Sequence, residues 1–324
     1  MKNHTQILNW ATDYLLSKGY FLPRSPELVL ETPWSNVIRF PTSKGDVYLK
    51  QPAPLIAQEP KITQLLATQF RANVPIVIAM NEELHCFLMN DAGQSLRDYL
   101  KNEFQLVLLR QAILQYTAMQ RSTENHIESL FALGVPDWRL DKLPQLYDYL
   151  INQRVFLKAE GMNDNELQTL HDLRPQISSE IESLSRFQIP EALVQSDFHT
   201  NNILIHPKTK KLTFIDLGEI VITHPFFSLH TFLRQAIMHH GLNELDQTYH
   251  QLQETCFENW LDLASKKQLF EGFMLAKKLW PIYSALVFYR ILHSVDQQSF
   301  KLFYANRPNR LAGFFREYTA ASGL

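Results

Sequence analysis

Cysteine and excess charge are both scarce in this sequence, and each scarcity argues against a class of protein. Only Cys86 and Cys256 are present among 324 residues, far apart and without metal-type spacing. We therefore expect reduced core side chains rather than a disulfide framework or a zinc site. The formal net charge of −2 argues against a general nucleic-acid binder, which carries a basic excess or stripe.

Long apolar runs are also missing. No run approaches the length needed to span a bilayer, and the first residues, Met1 to Gln6, contain no apolar core of a signal peptide. Hydrophobic residues nevertheless make up 45% of the chain and charged residues 20%, which suits a packed globular protein. We expect a cytoplasmic protein without nucleic-acid or membrane partners.

The first ninety residues alternate between strand and helix patterns, with turn residues between them. The pattern predicts a leading helix at Thr5 to Lys18, strands at Glu27 to Glu31, Asn36 to Phe40 and Asp46 to Lys50, a helix at Ile56 to Phe70, and strands at Ile76 to Met80 and His85 to Met89.

From Phe104 onward the apolar spacing is mostly helical. The predicted helices cover Phe104 to Gln120, Leu143 to Asn152, Glu166 to Phe187, Phe226 to Met238, Glu244 to Leu261, Lys267 to Leu279, Ile282 to Leu292 and Arg310 to Thr319. Neither repeats nor long linkers are evident.

One stretch combines short strands with polar residues at their ends. Strand candidates at Ile203 to Ile205 and Leu212 to Ile215 flank a turn. A hairpin of this size would bring Asp197, Asn202 and Asp216 close together. Two carboxylates and an amide oxygen suit Mg²⁺, which completes its shell with waters and substrate phosphates.

These residues resemble a known motif. Ser196 to Asn202, followed by Phe214 to Glu219, is similar to the catalytic loop and metal-binding segment of aminoglycoside phosphotransferase-like kinases, a group that includes choline and fructosamine kinases. The resemblance implies Asp197 as the base that orients the acceptor hydroxyl, with Asn202 and Asp216 holding Mg²⁺ on the nucleotide. The family commonly has His-Gly before the catalytic Asp, where this chain has Gln195-Ser196.

The resemblance also implies an α+β, protein-kinase-like fold with two lobes. A small antiparallel-sheet lobe with the leading helix, residues 1–92, would bind the nucleotide. A larger helical lobe, residues 93–324, would hold the catalytic hairpin and the acceptor site. Lys50 would contact the α and β phosphates and pair with an acid on the following helix, for which Glu59 is the candidate; a strand-end lysine and a helix-start acid are the structural alternatives.

Two further nucleotide contacts follow from the same resemblance. Ser35 and Asn36 lie in the loop expected to cover the phosphates, which lacks glycine and contains Trp34, so that an ordinary turn is an equal alternative. The backbone from Met89 to Asp91 would hydrogen-bond the base, although Met89 also suits a core position.

The acceptor is expected in the helical lobe, in front of Asp197. Glu219 and Asp137 could hold a cationic acceptor such as an amino sugar or choline, Trp280 could add a cation–π contact, and His199 stands in the catalytic loop. The alternative for the aromatic residue and the histidine is a structural position in the core.

The function predicted is transfer of the γ-phosphate of ATP, or of GTP, with Mg²⁺, to a hydroxyl of a small molecule. The main alternative is a catalytically weak pseudokinase that acts as a nucleotide- or partner-binding module, favoured by the glycine-free loop and Gln195. A protein kinase would usually carry a longer activation segment, and a metal-dependent hydrolase would not explain Lys50. The acceptor's identity and the oligomeric state are left open.

Overall fold

The computed structural model describes residues 4–306 and 308–323. Its strands are β1 (Glu27–Glu31), β2 (Ser35–Phe40), β3 (Val47–Pro52), β4 (Val77–Asn81), β5 (Cys86–Asn90), β6 (Gln94–Ser95), β7 (Ala192–Val194), β8 (Ile203–Ile205), β9 (Leu212–Phe214) and β10 (Val221–Thr223).

Its α-helices are α1 (His4–Ser17), α2 (Glu59–Thr68), α3 (Leu96–Asn102), α4 (Leu106–Thr123), α5 (Ile127–Phe131), α6 (Leu143–Ile151), α7 (Arg154–Ala159), α8 (Asp164–Asp172), α9 (Arg174–Ser185), α10 (Phe226–His240), α11 (Gln247–Thr255), α12 (Lys266–Leu292), α13 (Gln297–Phe303) and α14 (Arg310–Ala321). The mixed class, with an antiparallel sheet first and helices after it, confirms the predicted α+β fold.

One compact unit comprises residues 1–96, 202–219 and 293–303. Its main sheet is antiparallel in the order β1-β2-β3-β5-β4. The helix α1 buries Ile7, Ala11 and Leu15, which are spaced four residues apart and so share one face, against sheet residues that include Phe40, Leu49 and Leu88. This packing holds the sheet whose central strand carries Lys50.

The same unit contains a second, smaller sheet in the order β6-β8-β9. Strands β8 and β9 form the predicted hairpin, with Leu204 opposite Thr213, and its turn closes through a 2.9 Å hydrogen bond from the N–H of His206 to the carbonyl of Lys211. The hairpin therefore groups with residues 1–96. The assignment of nucleotide binding to residues 1–92 and of catalysis to residues 93–324 stays a prediction.

The other compact unit comprises residues 97–201, 220–292 and 304–324 and is mostly helical. Its only regular strands among the described residues are β7 and β10, which pair antiparallel. The chain at Asp137 lies beside β10, since Trp138 donates its N–H to the carbonyl of Ile222 at 2.9 Å. Large aromatic side chains fill the core of this unit, including Trp260, Tyr116, Tyr147, Tyr283, Tyr318, Phe226 and Phe232.

Three helix predictions are wrong, and proline explains two of them. The helix predicted over Glu244 to Leu261 ends at Thr255, and a 3₁₀ turn follows it at Glu258–Trp260. The single helix predicted over Glu166 to Phe187 is two helices, α8 and α9, because Pro175 lies in the first turn of α9, where its missing N–H costs no hydrogen bond. The two helices predicted around Pro281 are one, α12, with the proline inside it. Burial of residues on both sides of Pro281 outweighs the hydrogen bond that the proline removes.

The two cysteines, Cys86 and Cys256, are buried and unbonded, as expected for reduced core residues. Across residues 4–306 and 308–323, none of the helices combines the length and the apolar character that crossing a membrane requires.

The pairing of β6 with β8 depends on glycine at position 93. Gly93 has a φ of +113°, and a Cβ at this position would lie 2.2 Å from the carbonyl oxygen of Ile205. Gly45 has a similar φ, +102°, but nothing lies within 4 Å of its Cβ position.

We expect Gly45→Ala to lower the free energy of unfolding by about 1–2 kcal/mol through backbone strain alone. Gly93→Ala should lower it by a further 1–3 kcal/mol or so, because a backbone carbonyl cannot move aside as a side chain can. Urea unfolding of both variants measures the difference. Equal losses would contradict the close approach of Gly93 to β8.

Candidate functional site

A buried lysine between two carboxylates is the centre of the site in the first unit. Lys50 lies on β3 and is only 5% exposed. Its Nζ lies 2.7 Å from Glu59 Oε1 and 2.6 Å from Asp216 Oδ1. The structure thus brings three of the predicted site residues together, one from the main sheet, one from α2 and one from the end of the hairpin.

The position of Glu59 follows from its place in the chain. It is the first residue of α2, followed by Pro60, and its Oε1 also accepts the N–H of Leu217 at 3.3 Å. Its Oε2 is buried without a hydrogen-bond partner among the described residues. A Cβ on Gly218 would lie 3.3 Å from that oxygen, so glycine leaves room for the carboxylate.

The electrostatics favour a charged lysine. Burial alone would lower the pKa of Lys50, but the charges and hydrogen bonds of Asp216 and Glu59 outweigh it and raise the pKa above its ordinary value. Burial raises the pKa of Glu59, against the opposing influence of Lys50. Lys50 therefore remains a fixed positive charge over the physiological pH range, as a phosphate contact requires.

Asp216 stands in an uncommon backbone conformation. Its φ of +63° is left-handed, which Asp and Asn tolerate better than most residues. The residues on either side are tied down: the N–H of Ile215 donates to the carbonyl of Asn202 at 3.0 Å, and that of Leu217 to Glu59. Strain of this kind persists where the surroundings fix it, often at functional sites.

Asn202 is buried and lies across the end of the hairpin from Ile215. The donor set of Asp216 and Asn202, a carboxylate and an amide oxygen, fits a hard cation that takes its remaining ligands from phosphates and water. No cluster of three or more His, Cys, Asp or Glu that could hold a metal occurs within the described part of the chain.

The glycine-free turn is held by its own hydrogen bonds. The N–H of Ser35 donates to Thr32 Oγ1 at 3.0 Å, and the N–H of Thr32 donates to the carbonyl of Ser35 at 2.9 Å. Ser35 and Asn36 are both buried, and the ring of Trp34 packs edge-on against Phe303 with centroids 4.9 Å apart. The turn is therefore rigid, and the Ser35 N–H is already used within it.

The predicted base-binding segment ends β5. Met89 is half-buried and Asp91 is exposed. The N–H of Asn90 donates to the carbonyl of Ile76 and that of Asp91 to the carbonyl of Asp46, each at 3.2 Å. The N–H groups of residues 90 and 91 are therefore already used within the sheet and its flanking turn.

Asp197 follows β7 in the second unit and is held by His199. Its carboxylate is about half exposed, and Oδ2 lies 3.0 Å from His199 Nε2, whereas His199 itself is buried. His199 Nδ1 accepts the N–H of Asn201 at 3.2 Å, which assigns the proton to Nε2 and makes it the donor to Asp197. His199, predicted as an acceptor contact, is placed to orient the carboxylate.

The charge of Asp197 is stabilised by its surroundings. Burial acts to raise its pKa, but the hydrogen bond from His199, with the charges of Arg310 and Arg97, brings the pKa below its ordinary value. The carboxylate is thus ionised and able to accept a hydrogen bond at neutral pH.

Aromatic residues support the loop that carries Asp197, where Gln195-Ser196 stands in place of the His-Gly that the resemblance implies. The N–H of Gln195 donates to the hydroxyl of Tyr116 at 2.8 Å, and the Tyr283 hydroxyl donates to Ser196 Oγ at 3.1 Å. The ring of Phe198 stacks on Tyr116 and on Phe232, with centroids 3.7 and 4.8 Å apart. Sequence reasoning did not predict this support of the loop, because helical spacing indicates only that Tyr116 is a core residue.

The remaining acceptor candidates have partners of their own. Asp137 accepts two hydrogen bonds from the Arg139 guanidinium, at 2.9 and 2.8 Å. Trp280 is buried, donates to Thr231 Oγ1 at 2.9 Å and lies under the guanidinium of Arg234. Glu219, in the first unit, ends a 3₁₀ turn and is half-buried.

Comparison with known proteins identifies the family. The model of the Phosphotransferase enzyme family matches residues 29–264, most of the chain. The chain belongs to this family. It is a small-molecule kinase, a phosphotransferase whose acceptor group is a hydroxyl, and membership of an enzyme family favours this function over the binding-module alternative.

Solved structures of phosphotransferases share the fold at low sequence identity. An ethanolamine kinase of Plasmodium vivax is 12% identical, with a TM-score of 0.64 over 100% of this chain and 91% of that one. The GDP complex of aminoglycoside 2′-phosphotransferase-IIIa is 16% identical, with a TM-score of 0.59 over 98% and 99%. A macrolide 2′-phosphotransferase of type I is 13% identical, with a TM-score of 0.60 over 94% and 97%.

No curated protein matches the sequence significantly. The structural neighbours nevertheless confirm the predicted protein-kinase-like fold of the phosphotransferase.

The buried lysine cluster generates a stability prediction. Lys50→Met should lower the free energy of unfolding by about 3–5 kcal/mol, because it leaves the Glu59 carboxylate buried without its partner. Glu59→Gln added to this variant should recover part of the loss, since the uncompensated charge is removed.

Urea unfolding of Lys50→Met, Glu59→Gln, the double variant and Lys61→Met provides the measurement. Lys61 pairs with Glu82 on the surface of the same unit, so its loss should cost about 0–1 kcal/mol. Strictly additive losses in Lys50→Met/Glu59→Gln would show that the two side chains do not form a coupled pair.

The contact with His199 generates a pH prediction. Because that hydrogen bond lowers the pKa of Asp197, His199→Ala should raise it, and NMR titration of the labelled carboxyl measures the change. A carboxyl whose pKa is lower in the native than in the unfolded protein stabilises the fold at pH values above its unfolded pKa. This stability is lost as the pH falls through the native pKa. His199→Ala should therefore lose less stability than the wild type on acidification through that window.

The exposed His250 provides the control, and His250→Ala should leave the Asp197 titration unchanged. An unaltered Asp197 pKa in His199→Ala would mean that the imidazole does not hold the carboxylate in solution.

Proposed function

We propose that this phosphotransferase moves the γ-phosphoryl group of a Mg²⁺-bound nucleoside triphosphate, ATP or GTP, to a hydroxyl of a small metabolite. The observation that carries the proposal is the contact of buried Lys50 with both Glu59 and Asp216, in a chain that belongs to a phosphotransferase family. Binding of nucleotide phosphates requires a fixed cation, which Lys50 provides, beside a carboxylate that can bind a metal ion, which Asp216 provides.

In this proposal the nucleotide is held mainly by the first unit. Lys50 contacts the α and β phosphates, and Glu59 fixes its ammonium group. Asn202 and Asp216 would hold Mg²⁺, and the ion would supply positive charge to the phosphates. The turn at Ser35 and Asn36 lies over the phosphates, and the segment from Met89 to Asp91 receives the base.

Asp197 is the proposed catalytic residue of the second unit. Its carboxylate accepts the proton of the acceptor hydroxyl as the hydroxyl oxygen bonds to the γ-phosphorus and the bridging oxygen leaves with the nucleoside diphosphate. The lowered pKa keeps this carboxylate ionised, and the hydrogen bond from His199 fixes its orientation. Positioning of the hydroxyl, more than strong basicity, is what such a carboxylate supplies.

The neighbours support a nucleotide donor and a small acceptor. One solved aminoglycoside phosphotransferase holds GDP, and a related complex holds GDP and kanamycin. An ethanolamine kinase is a further neighbour. These activities support acceptors in the class expected from the sequence, namely amino sugars, choline-like compounds or other metabolites that carry a hydroxyl.

Two substitutions separate binding from chemistry. Asp197→Asn should abolish phosphoryl transfer, about a thousandfold or more, yet leave nucleotide binding nearly intact. Asp216→Asn should weaken Mg²⁺-dependent nucleotide binding itself, and Asn is preferred to Ala because it tolerates the left-handed backbone at this position.

Thermal-shift titration with ATP and GTP, with and without Mg²⁺, measures binding by mass action, and release of ADP or GDP with acceptor measures turnover. The exposed Asp172 offers the matched control, Asp172→Asn. Wild-type turnover in Asp197→Asn, or an unchanged Mg²⁺-dependent shift in Asp216→Asn, would refute the assignment of that residue.

A further inference from the structure

A cavity of the second unit lies on the face of α10 that points away from the loop carrying Asp197. The cavity has a volume of about 350 Å³ and is lined by residues of α10, α11, α12 and α14. Phe232 of α10 stacks on Phe198 of that loop, with ring centroids 4.8 Å apart. His230, which lines the cavity, is two residues earlier and so lies about 200° around the helix. A molecule bound in the cavity would therefore be distinct from the acceptor.

Two buried rings of the cavity wall carry polar atoms that no other described residue uses. His230 is 5% exposed and Tyr249 is 2% exposed, and neither side chain forms a hydrogen bond within the part of the chain that the structure describes. Nδ1 of His230 is closed to solvent, whereas its Nε2 and the Tyr249 hydroxyl are open to the cavity that both residues line. A buried polar group without a partner costs free energy, which a bound molecule that supplies the partner would recover.

Both of these rings are uncharged at neutral pH. Burial, with the charges of Lys277 and Arg234, lowers the pKa of His230 to about 3. Burial also raises the pKa of Tyr249 above its ordinary value. A neutral imidazole nitrogen either donates or accepts, according to the tautomer, and a hydroxyl does both. The open groups of the wall are therefore neutral hydrogen-bonding groups rather than fixed charges.

The charged groups of the wall are already paired. Each cation contacts a carboxylate, namely Lys277 with Glu244, Lys278 with Glu180, and Arg234 with Glu317. The two lysine contacts are each 2.7 Å long, and the arginine donates two hydrogen bonds to its partner. A charged ligand would have to compete with one of these ion pairs, whereas an uncharged ligand would leave all three in place.

The rest of the wall is apolar, with one backbone acceptor in it. Pro281 lies inside α12 and has no N–H, so the carbonyl of Lys277, four residues earlier, lacks its helical donor. Both residues line the cavity, as do the apolar side chains of Ile237, Met274 and Ala321. A ligand that fits this wall combines an apolar body with a hydrogen-bond donor, in keeping with the mainly apolar lining and few polar groups of small-molecule sites.

We propose that this cavity binds an uncharged small molecule with an apolar body and an amide-type group, which both donates and accepts hydrogen bonds. The amide N–H donates to the carbonyl of Lys277, and the amide oxygen accepts a hydrogen bond from Tyr249 or His230. The proposal is independent of the proposed function, because the cavity and the loop of Asp197 lie on opposite faces of α10.

Benzamide is the probe for this site, and benzoate, benzylamine and toluene are its anionic, cationic and purely apolar counterparts of similar size. NMR of protein labelled with ¹⁵N at histidine follows the ring nitrogens of His230, whose signals are assigned by their absence from His230→Phe. Benzamide should shift these signals saturably, with a Kd of about 1 mM or below, which is ordinary for a ligand of this size. Each counterpart should bind at least about fivefold more weakly.

Substitutions in the wall locate the binding. Tyr249→Phe removes only a hydroxyl and should weaken benzamide binding about three- to tenfold, as expected for one lost hydrogen bond. Tyr149→Phe removes an exposed hydroxyl outside the cavity and should bind as the wild type does. Ala321 is exposed at the wall, so Ala321→Trp should fill the cavity and abolish binding. Tyr249→Phe loses no hydrogen bond of the unliganded protein, and urea unfolding should show wild-type stability.

Absence of a saturable change at His230 with benzamide would mean that water alone fills the cavity, and it would overturn the proposal. Tighter binding of benzoate or benzylamine than of benzamide would overturn the assignment to an uncharged ligand. Equal affinity for benzamide in the wild type, Tyr249→Phe and Ala321→Trp would show that the probe binds elsewhere, which also contradicts the proposal.

Discussion

The site of the first unit depends on the ion pairs that the Lys50 ammonium group forms with two carboxylates. A lysine on the central strand of a sheet is costly to bury, and its two carboxylate partners remove that cost. One partner, Glu59, begins α2 and the other, Asp216, follows β9. The pairing therefore fixes a strand, a helix and a hairpin end relative to one another, and a single buried charge organises elements that are distant in sequence.

The same carboxylates also explain why the local backbone is unusual. Leu217 donates its N–H to Glu59, and Gly218 leaves space beside that side chain. The left-handed turn at Asp216 is held between these contacts and the hydrogen bond from Ile215 to Asn202. In the second unit a comparable function falls to aromatic residues, since Tyr116 and Phe232 support the loop that carries Asp197. Rigid surroundings of this kind are what preorganised phosphoryl transfer requires.

Local pattern predicted most of the elements. Strand β1 and strand β8 have the predicted bounds, and the other strands of the main sheet differ by one or two residues at an end, because alternation and turn residues are properties of short stretches. Proline was the exception: Pro175 begins a helix and Pro281 lies inside one. Which outcome a proline produces depends on the packing around it, and packing is not local.

The sequence by itself determined the motif residues, Asp197, Asn202 and Asp216, and the strand that carries Lys50, because spacing along the chain and turn chemistry specify them. Only the tertiary structure decided which groups surround each charge. It placed Glu59 and Asp216 on Lys50, and it gave Asp137 and Trp280 arginine partners. Charge compensation depends on distances between residues that lie tens to hundreds of positions apart, which no periodicity in the chain encodes.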